Sequence, residues 1–439
     1  MMNRKAAVKN AVRGILAGSL ILLGAVSCGS GQTHPQDGAG ASETENQPAA
    51  NIYAFRMENG KLNWNQPGLP YKVNLVSAKT TPVCTDPLCM HDTEECPFFD
   101  CYGCAAGGEI LFYRRGSLSR YENGFRGTEK LCVCAVADGK TRVLREYADN
   151  LVFLGVRGET LYYYTAEWSN EGDGLVCTYS LHRADGKSGA VEDLSLPETY
   201  RTVGGYIDNS DYPNLLMFEG DTIYWTKYAE DRTASILRSD LDGRNWTEVR
   251  TGVRTFASVY SEGYGYTAGI KVELEDPGDR RGENGGTVSY PLRRTRPDSG
   301  EEEPETIADN IGSSNFLVTD RYIFTMEGVS PVPDGMKIRT DPFSYGGDVG
   351  FEILNGCRVW RMDLDGSERT LVGETTEYYF AGRQGVPDKV LFDYYEDETN
   401  DWLAFFFMEQ DESGRLVLSE DTLILNAETG EFTVSEFVR

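Results

Sequence analysis

One short pattern returns along residues 51–439 and restricts what the chain can fold into. A turn glycine or acid is followed by a strand of apolar and aromatic residues: GEILFYR at 108, GETLYYY at 158, GDTIYWT at 220, EGYGYTA at 262, TDRYIFT at 319 and PDKVLFD at 387. A second phrase follows, a strand, a tight turn and a strand: CVCAVADGKTRVL at 132, TYSLHRADGKSGAVEDL at 178, SILRSDLDGRNWTEV at 235, RVWRMDLDGSERTLV at 358 and TLILNAETGEFTV at 422. Period-two runs rich in Tyr, Val and Ile, broken by Gly and Asp, are strand signals, and helical periodicity is nearly absent. Self-similarity at tens of residues marks a repeat architecture.

Two weaker hairpins, YKVNLVSAKTTPV at 71 and SYPLRRTRPDSGEEEPETI at 289, bring the count to seven units. A sheet of four short strands cannot cover both of its faces alone. Stacking such sheets radially buries the faces and leaves no long open edges. The sequence therefore predicts an all-β fold, a β-propeller of seven blades, with six or eight as neighbouring counts. An array of β-sandwiches is the competitor, but it needs two different sheets per domain where one unit recurs.

The unit beginning at Ile223 is similar to the YWTD repeat of low-density-lipoprotein-receptor propellers. Tyr224, Trp225 and Thr226 stand at the first three motif positions, and Ser239 to Gly243 resembles the DLDG turn that follows. The fourth motif residue, Asp, is replaced by Lys227, so its role is not carried over. RMDLDGSERTLV at 361 repeats the second half. The receptor propellers have six blades. The resemblance implies architecture, and together with the N-terminus it is similar to bacterial lipoproteins that carry such propellers.

That N-terminus holds Arg4, Lys5, Lys9 and Arg13 without an acid, then the apolar run GILAGSLILLGAV and the small residues before Cys28. This is the layout of a secretory signal, too short to remain as a membrane span. The boundary resembles a lipobox, although Ala25 stands where Leu is usual. The resemblance implies that residues 1–27 are removed and Cys28 is lipidated. Residues 28–50, rich in Gly, Ser, Pro, Gln and Glu, read as a disordered tether that includes His34. The expected location is the outer face of the bacterial cytoplasmic membrane, with the lipid as sole anchor. A net charge of −27 argues against nucleic acid and anionic lipid surfaces as partners.

The stretch CTDPLCMHDTEECPF at 84, within a Cys-rich loop spanning 84–104, carries the strongest chemical signal. Cys84, Cys89, His91 and Cys96 form C-x4-C-x-H-x4-C, a three-thiolate, one-imidazole set of the kind that holds structural zinc. Cys101 and Cys104 add a nearby thiol pair. An oxidising compartment keeps disulfides open as the alternative, and a loop of reduced thiols is the third reading. Cys132 and Cys134, two apart on one strand, face the same side and are poorly placed to bridge each other. Cys177 and Cys357 read as core residues.

Other candidates are weaker. Asp240 with Asp242 and Asp363 with Asp365 space carboxylates as calcium loops do, but lack the downstream bidentate Glu, which leaves turn chemistry. His182 is the one histidine left as a general base, and it sits in a hairpin strand. Residues 271–306 and 327–356 read as long loops whose Gly and Pro interrupt strands. With no G-x-S-x-G and no H-E-x-x-H, no catalytic residue is assigned. The expected function is a tethered binding or scaffolding module for an extracytoplasmic glycan, peptide or partner protein. A propeller enzyme such as a glycan lyase or hydrolase, and a metal-handling or redox lipoprotein, are the alternatives.

Overall fold

The computed structural model describes residues 51–57, 68–116, 128–203, 212–274, 286–331, 351–383 and 391–438, with short gaps inside these ranges. The signal, the tether with Cys28 and His34, and much of both long loops lie outside the described residues. Within them every regular element is a strand, and the strands make seven blades.

Blade 2 shows the repeating unit: Cys101–Gly107, Ile110–Gly116, Glu129–Ala135 and Lys140–Tyr147 pair antiparallel in chain order. Blade 3 runs Asn150–Arg157, Thr160–Glu171, Gly174–Asp185 and Val191–Leu194, with Arg201–Val203 prolonging its edge. Blade 4 comprises Asn214–Glu219, Thr222–Tyr228, Ala234–Asp240 and Thr247–Val253. Blade 5 has Val259–Ser261, Tyr264–Ala268, Leu292–Thr295 and Glu305–Ala308, and blade 6 has Phe316–Val318, Tyr322–Glu327, Phe351–Asp363 and Thr370–Arg383. Blade 7 consists of Leu391–Glu396, Asp401–Phe405, Leu423–Asn426 and Glu431–Val434. Blade 1 combines Asn51–Met57, Gly68–Asn74 and Lys79–Pro82 with the late strand Glu436–Phe437, which pairs parallel to Lys79–Pro82. The first strands of the blades touch in cyclic order, and the first strand of blade 7 meets that of blade 1. The ring is closed.

Alternation along the second strand of each blade explains why the ring forms. In blade 2, Leu111 and Tyr113 face blade 1 while Ile110 and Phe112 face blade 3. In blade 3, Leu161 and Tyr163 pack toward blade 2, Tyr162 and Tyr164 toward blade 4. Blade 4 sends Ile223 and Trp225 back to blade 3 and Tyr224 forward. Blade 7 sends Leu403 and Phe405 to blade 6 and Ala404 to blade 1. Every blade is thus apolar on both faces, and each fully buried side chain of this size contributes about 1.5–3 kcal/mol relative to exposure. A lone blade would expose two such faces, so only a closed ring satisfies the pattern.

Tight turns lock neighbours together. Arg183 of blade 3 and Tyr162 both donate to the Leu241 carbonyl in the DLDG turn of blade 4, and Arg294 of blade 5 donates to the equivalent Leu364 carbonyl of blade 6. Gly366 has φ +85°, and a Cβ there would lie 2.1 Å from the Ile307 carbonyl oxygen of the preceding blade. Gly186 serves differently from the other Asp-Gly glycines: its backbone is not left-handed, but a Cβ would meet Ile110 at 2.4 Å. The paired aspartates are used inside their turns, Asp240 accepting from Asn245 and Asp363 and Asp365 from Ser367.

Three local expectations need correction. PDKVLFD leads into the first strand of blade 7, whereas the other phrases form second strands; Asp401–Phe405 fills that role. The excursion at 271–306 contains an unexpected two-stranded ribbon, Lys271–Leu274 with Gly286–Ser289, ahead of the expected hairpin at 289. The stretch 327–356 ends in strand from Phe351 onward, which continues through Gly356 because the ladder takes a bulge there.

Candidate metal centre

The segment 83–100 connects the third strand of blade 1 to the first of blade 2 and folds over the junction between them. Val83 N–H donates to the Pro70 carbonyl, which fixes the segment's start. Asp86 then organises a turn: its carboxylate accepts from Leu88 N–H at 2.9 Å and its carbonyl from Cys89 N–H at 3.2 Å. The Thr-Asp-Pro sequence is what such an Asx turn uses. A second turn, Cys96 N–H to the Thr93 carbonyl, carries the chain into the junction, where Phe98 is fully buried and packs on Tyr113 at 4.9 Å. Arg115 clips the outside, donating to the Glu94 carbonyl and lying over Phe99. Thr85 sits against the blade 2 turn at Gly139.

These constraints bring Cys84, Cys89, His91 and Cys96 together, with one ligand atom of each within 4.8 Å of all the others. His91 Nδ1 is 3.4 Å from Cys96 Sγ. Tetrahedral zinc, with Zn–S about 2.3 Å and Zn–N about 2.0–2.1 Å, sets N···S near 3.6 Å and S···S near 3.8 Å. The arrangement would therefore close by at most about 1 Å around such an ion. His91 is held at φ +60°, a conformation unfavourable for a residue with a Cβ, and that backbone aims its ring at the sulfurs. Four ligands of this type fill a tetrahedral shell and leave no open position.

Protonation follows the same geometry. Burial pushes the Cys96 thiol up to about 12, reinforced by the neighbouring Cys89 and Cys84 sulfurs, and burial also raises Cys84. Burial lowers His91, favouring the neutral imidazole that a metal requires. Raised Cys84 and Cys96 bind a metal only as thiolates, and a divalent cation among them supplies the charge that favours that form.

Cys101 and Cys104 are not drawn into this group. Cys101 lies in the core beneath it and half-buried Cys104 packs against that core, where burial raises both thiols, Cys104 to about 12. Cys132 and Cys134 point into the same core, each raised to about 11 by burial, and share a face as their spacing requires. Cys177 and Cys357 pack in the blade 3–4 and blade 6–7 cores. All nine described cysteines are thiols.

His182 is engaged on both ring nitrogens. Its Nδ1 meets Asp193 at 2.9 Å and its Nε2 meets Thr165 Oγ1 at 2.9 Å, while Tyr163 stacks on the ring. Arg145 of blade 2 reaches the same carboxylate at 3.3 Å, tying the two blades. Burial lowers the His182 pKa against the opposing hydrogen bond to Asp193. A cleft of about 460 Å³ adjoins His182 and Asp193 and is also lined by Thr178, Ser180, Glu198 and Thr199, while the hydroxyl that His182 Nε2 engages, Thr165, does not line it. The arrangement joins strands of blade 3 and ties them to blade 2.

Many of the large aromatic residues fill the core between blades. Tyr113, Tyr163, Tyr164, Tyr212 and Tyr266 are fully buried, and Lys227, at the altered motif position, lies over the Tyr200 ring. The sequence did not single out Asp86, Arg115 or Thr85, although the Asp-Pro step beside Cys84 signals a turn.

No family model matches the chain, and no curated protein matches it. Solved structures similar to it are propellers or contain one. The propeller domain of the Trilobed protease from Pyrococcus furiosus is 8% identical, with a TM-score of 0.35 over 76% of this chain and 97% of that one. Acylaminoacyl peptidase from Pyrococcus horikoshii is 9% identical, with a TM-score of 0.46 over 89% of this chain and 51% of that one, so this chain spans about half its length. TolB from Acinetobacter baumannii is 12% identical, with a TM-score of 0.32 over 77% and 66%. None of these likenesses bears on activity; the class of protein is a seven-bladed β-propeller.

Proposed function

We propose that this chain is a lipid-anchored propeller at the outer face of the bacterial cytoplasmic membrane. It binds or scaffolds an extracytoplasmic glycan, peptide or protein, and a structural zinc ion at Cys84, Cys89, His91 and Cys96 closes the segment that connects blade 1 to blade 2. The observation that carries the reading is the closed four-ligand set at that junction. A filled shell cannot activate water or polarise a substrate, so a metal there serves order and presentation of the loop. The second thiol pair stays outside the site, Cys101 in the core and Cys104 half-buried against it.

The anchor rests on Cys28 and the basic-apolar segment before it. In cells, Cys28→Ser should move the protein from the detergent phase to the aqueous phase; continued membrane association of that variant would refute the anchor. Thermal-shift screening of the purified domain against envelope oligosaccharides and peptides tests the binding role. Saturable stabilisation by one class supports it, and turnover of a bound glycan would replace it with an enzymatic one.

A further inference from the structure

We propose that Cys84 and Cys89 form a redox switch on this metal centre: oxidation by a small-molecule disulfide joins the two sulfurs and expels the zinc. The inference rests on the zinc reading above.

The three sulfurs differ in access. Cys96 is 2% exposed, accepts from Phe98 N–H and is anchored by the buried Cys96–Phe98 corner. Cys84 and Cys89 are only half-buried and lie on the outer part of the segment. The Asp86 turn already brings them within 4.8 Å, and a disulfide needs only a further approach to about 2.05 Å. Their neighbours do not resist it: Leu88 is 87% exposed and Met90 is 80% exposed, so the turn can tighten without disturbing the core. Cys101, Cys132 and Cys134 are buried beneath the site, out of reach of an oxidant, and half-buried Cys104 is not part of the four-ligand group. A thiol set outside the cell meets disulfides that a cytosolic one does not.

The step balances as a thiol–disulfide exchange. Cys84 Sγ and Cys89 Sγ release zinc and give up one electron each as the S–S bond between them forms. The S–S bond of the small disulfide breaks and takes both electrons, leaving two thiolates. Zinc departs as Zn²⁺, Cys96 takes a proton from water, and His91 is left as neutral imidazole. The new bond holds the Cys84–Cys89 turn but no longer ties it to His91 and Cys96, so the segment after Cys89 loses its clasp.

Reduced, zinc-loaded protein treated with oxidised glutathione, followed by a chromogenic zinc chelator and peptide mapping, tests the switch. The expected result is loss of the bound zinc together with a Cys84–Cys89 disulfide, reversed by dithiothreitol and added zinc, and unchanged in a Cys177→Ala control. Zinc retained under oxidation, or a disulfide at another pair, overturns the switch while the zinc reading stands. Reduced protein that takes up no zinc overturns the zinc reading, and the switch with it.

Discussion

Replacing Trp225 probes the principle that alternating faces hold the ring together. Its side chain is completely buried, packs at 5.1 Å against Trp246, and donates to Ser239 Oγ at 2.9 Å in the core between blades 3 and 4. Truncating a buried Trp to Ala removes the transfer energy and leaves a cavity, a cost of about 3–5 kcal/mol. Unfolding entropy of about 2.1 cal/mol/K per residue over residues 51–439 gives about 0.8 kcal/mol/K, so Trp225→Ala should lower Tm by about 4–6 °C. Trp225→Phe keeps most of the ring volume and loses one hydrogen bond, worth about 1 kcal/mol or between one and two degrees. Ser239 retains a partner in the Asp240 carbonyl, so it is not stranded. Val143, exposed on the outer strand of blade 2, supplies the control: Val143→Ala should stay within about 0.5 kcal/mol. Differential scanning calorimetry reads all three. A Trp225→Ala shift no larger than that of Val143→Ala would refute the packing argument.

Gly366→Ala should destabilise by about 2 kcal/mol or more, because its Cβ meets the Ile307 carbonyl and its φ is positive. Gly414→Ala, with positive φ but open space around it, should cost only about 1 kcal/mol; equal denaturant midpoints for the two would contradict the turn-docking account. Burial holds the folded-state pKa of His182 below 6.5, so the unfolded chain takes up the proton first and stability falls as pH drops below about 6.5. Asp193, held low by its hydrogen bond to His182, adds a further loss at more acidic pH, below its ordinary 3.8. Urea midpoints at pH 7.5 and 5.5 should therefore diverge in the wild type and differ less in His182→Gln, where the lowered His91 remains; a wild-type midpoint that rises on acidification would reverse the assigned sign.

The hairpins were legible because each encodes its own strand period and turn glycine within about fifteen residues. Blade count followed from them, including the two weak hairpins at 71 and 289, which are the Gly68–Asn74/Lys79–Pro82 and Leu292–Thr295/Glu305–Ala308 pairs. Non-local pairings were not legible. Closure through Glu436–Phe437 depends on the Thr80–Ser435 hydrogen bond and on a parallel ladder between strands more than 350 residues apart, which no local pattern announces. The ribbon Met408–Gln410 with Leu416–Leu418, joined to blade 6 at Tyr379, was hidden for the same reason. PDKVLFD was placed one strand late because a first strand in this chain carries the same apolar and aromatic residues as a second.

At the candidate site the ligand types and spacing were readable, and the geometry that joins them was not. Spacing leaves Cys101 and Cys104 as competitors, since they lie as near in sequence as the chosen ligands. Their strand pairing with Arg115 and Tyr113 puts Cys101 in the core and Cys104 against it instead. His91 contributes because its backbone turns left-handed, a feature that residue identity alone does not reveal.

Zinc-edge X-ray absorption on reduced, purified protein tests the clasp most directly. One zinc per chain with three sulfurs near 2.3 Å and one nitrogen near 2.0 Å is the expected shell. A metal-free protein with all nine thiols retained, or a shell dominated by oxygen, would contradict it.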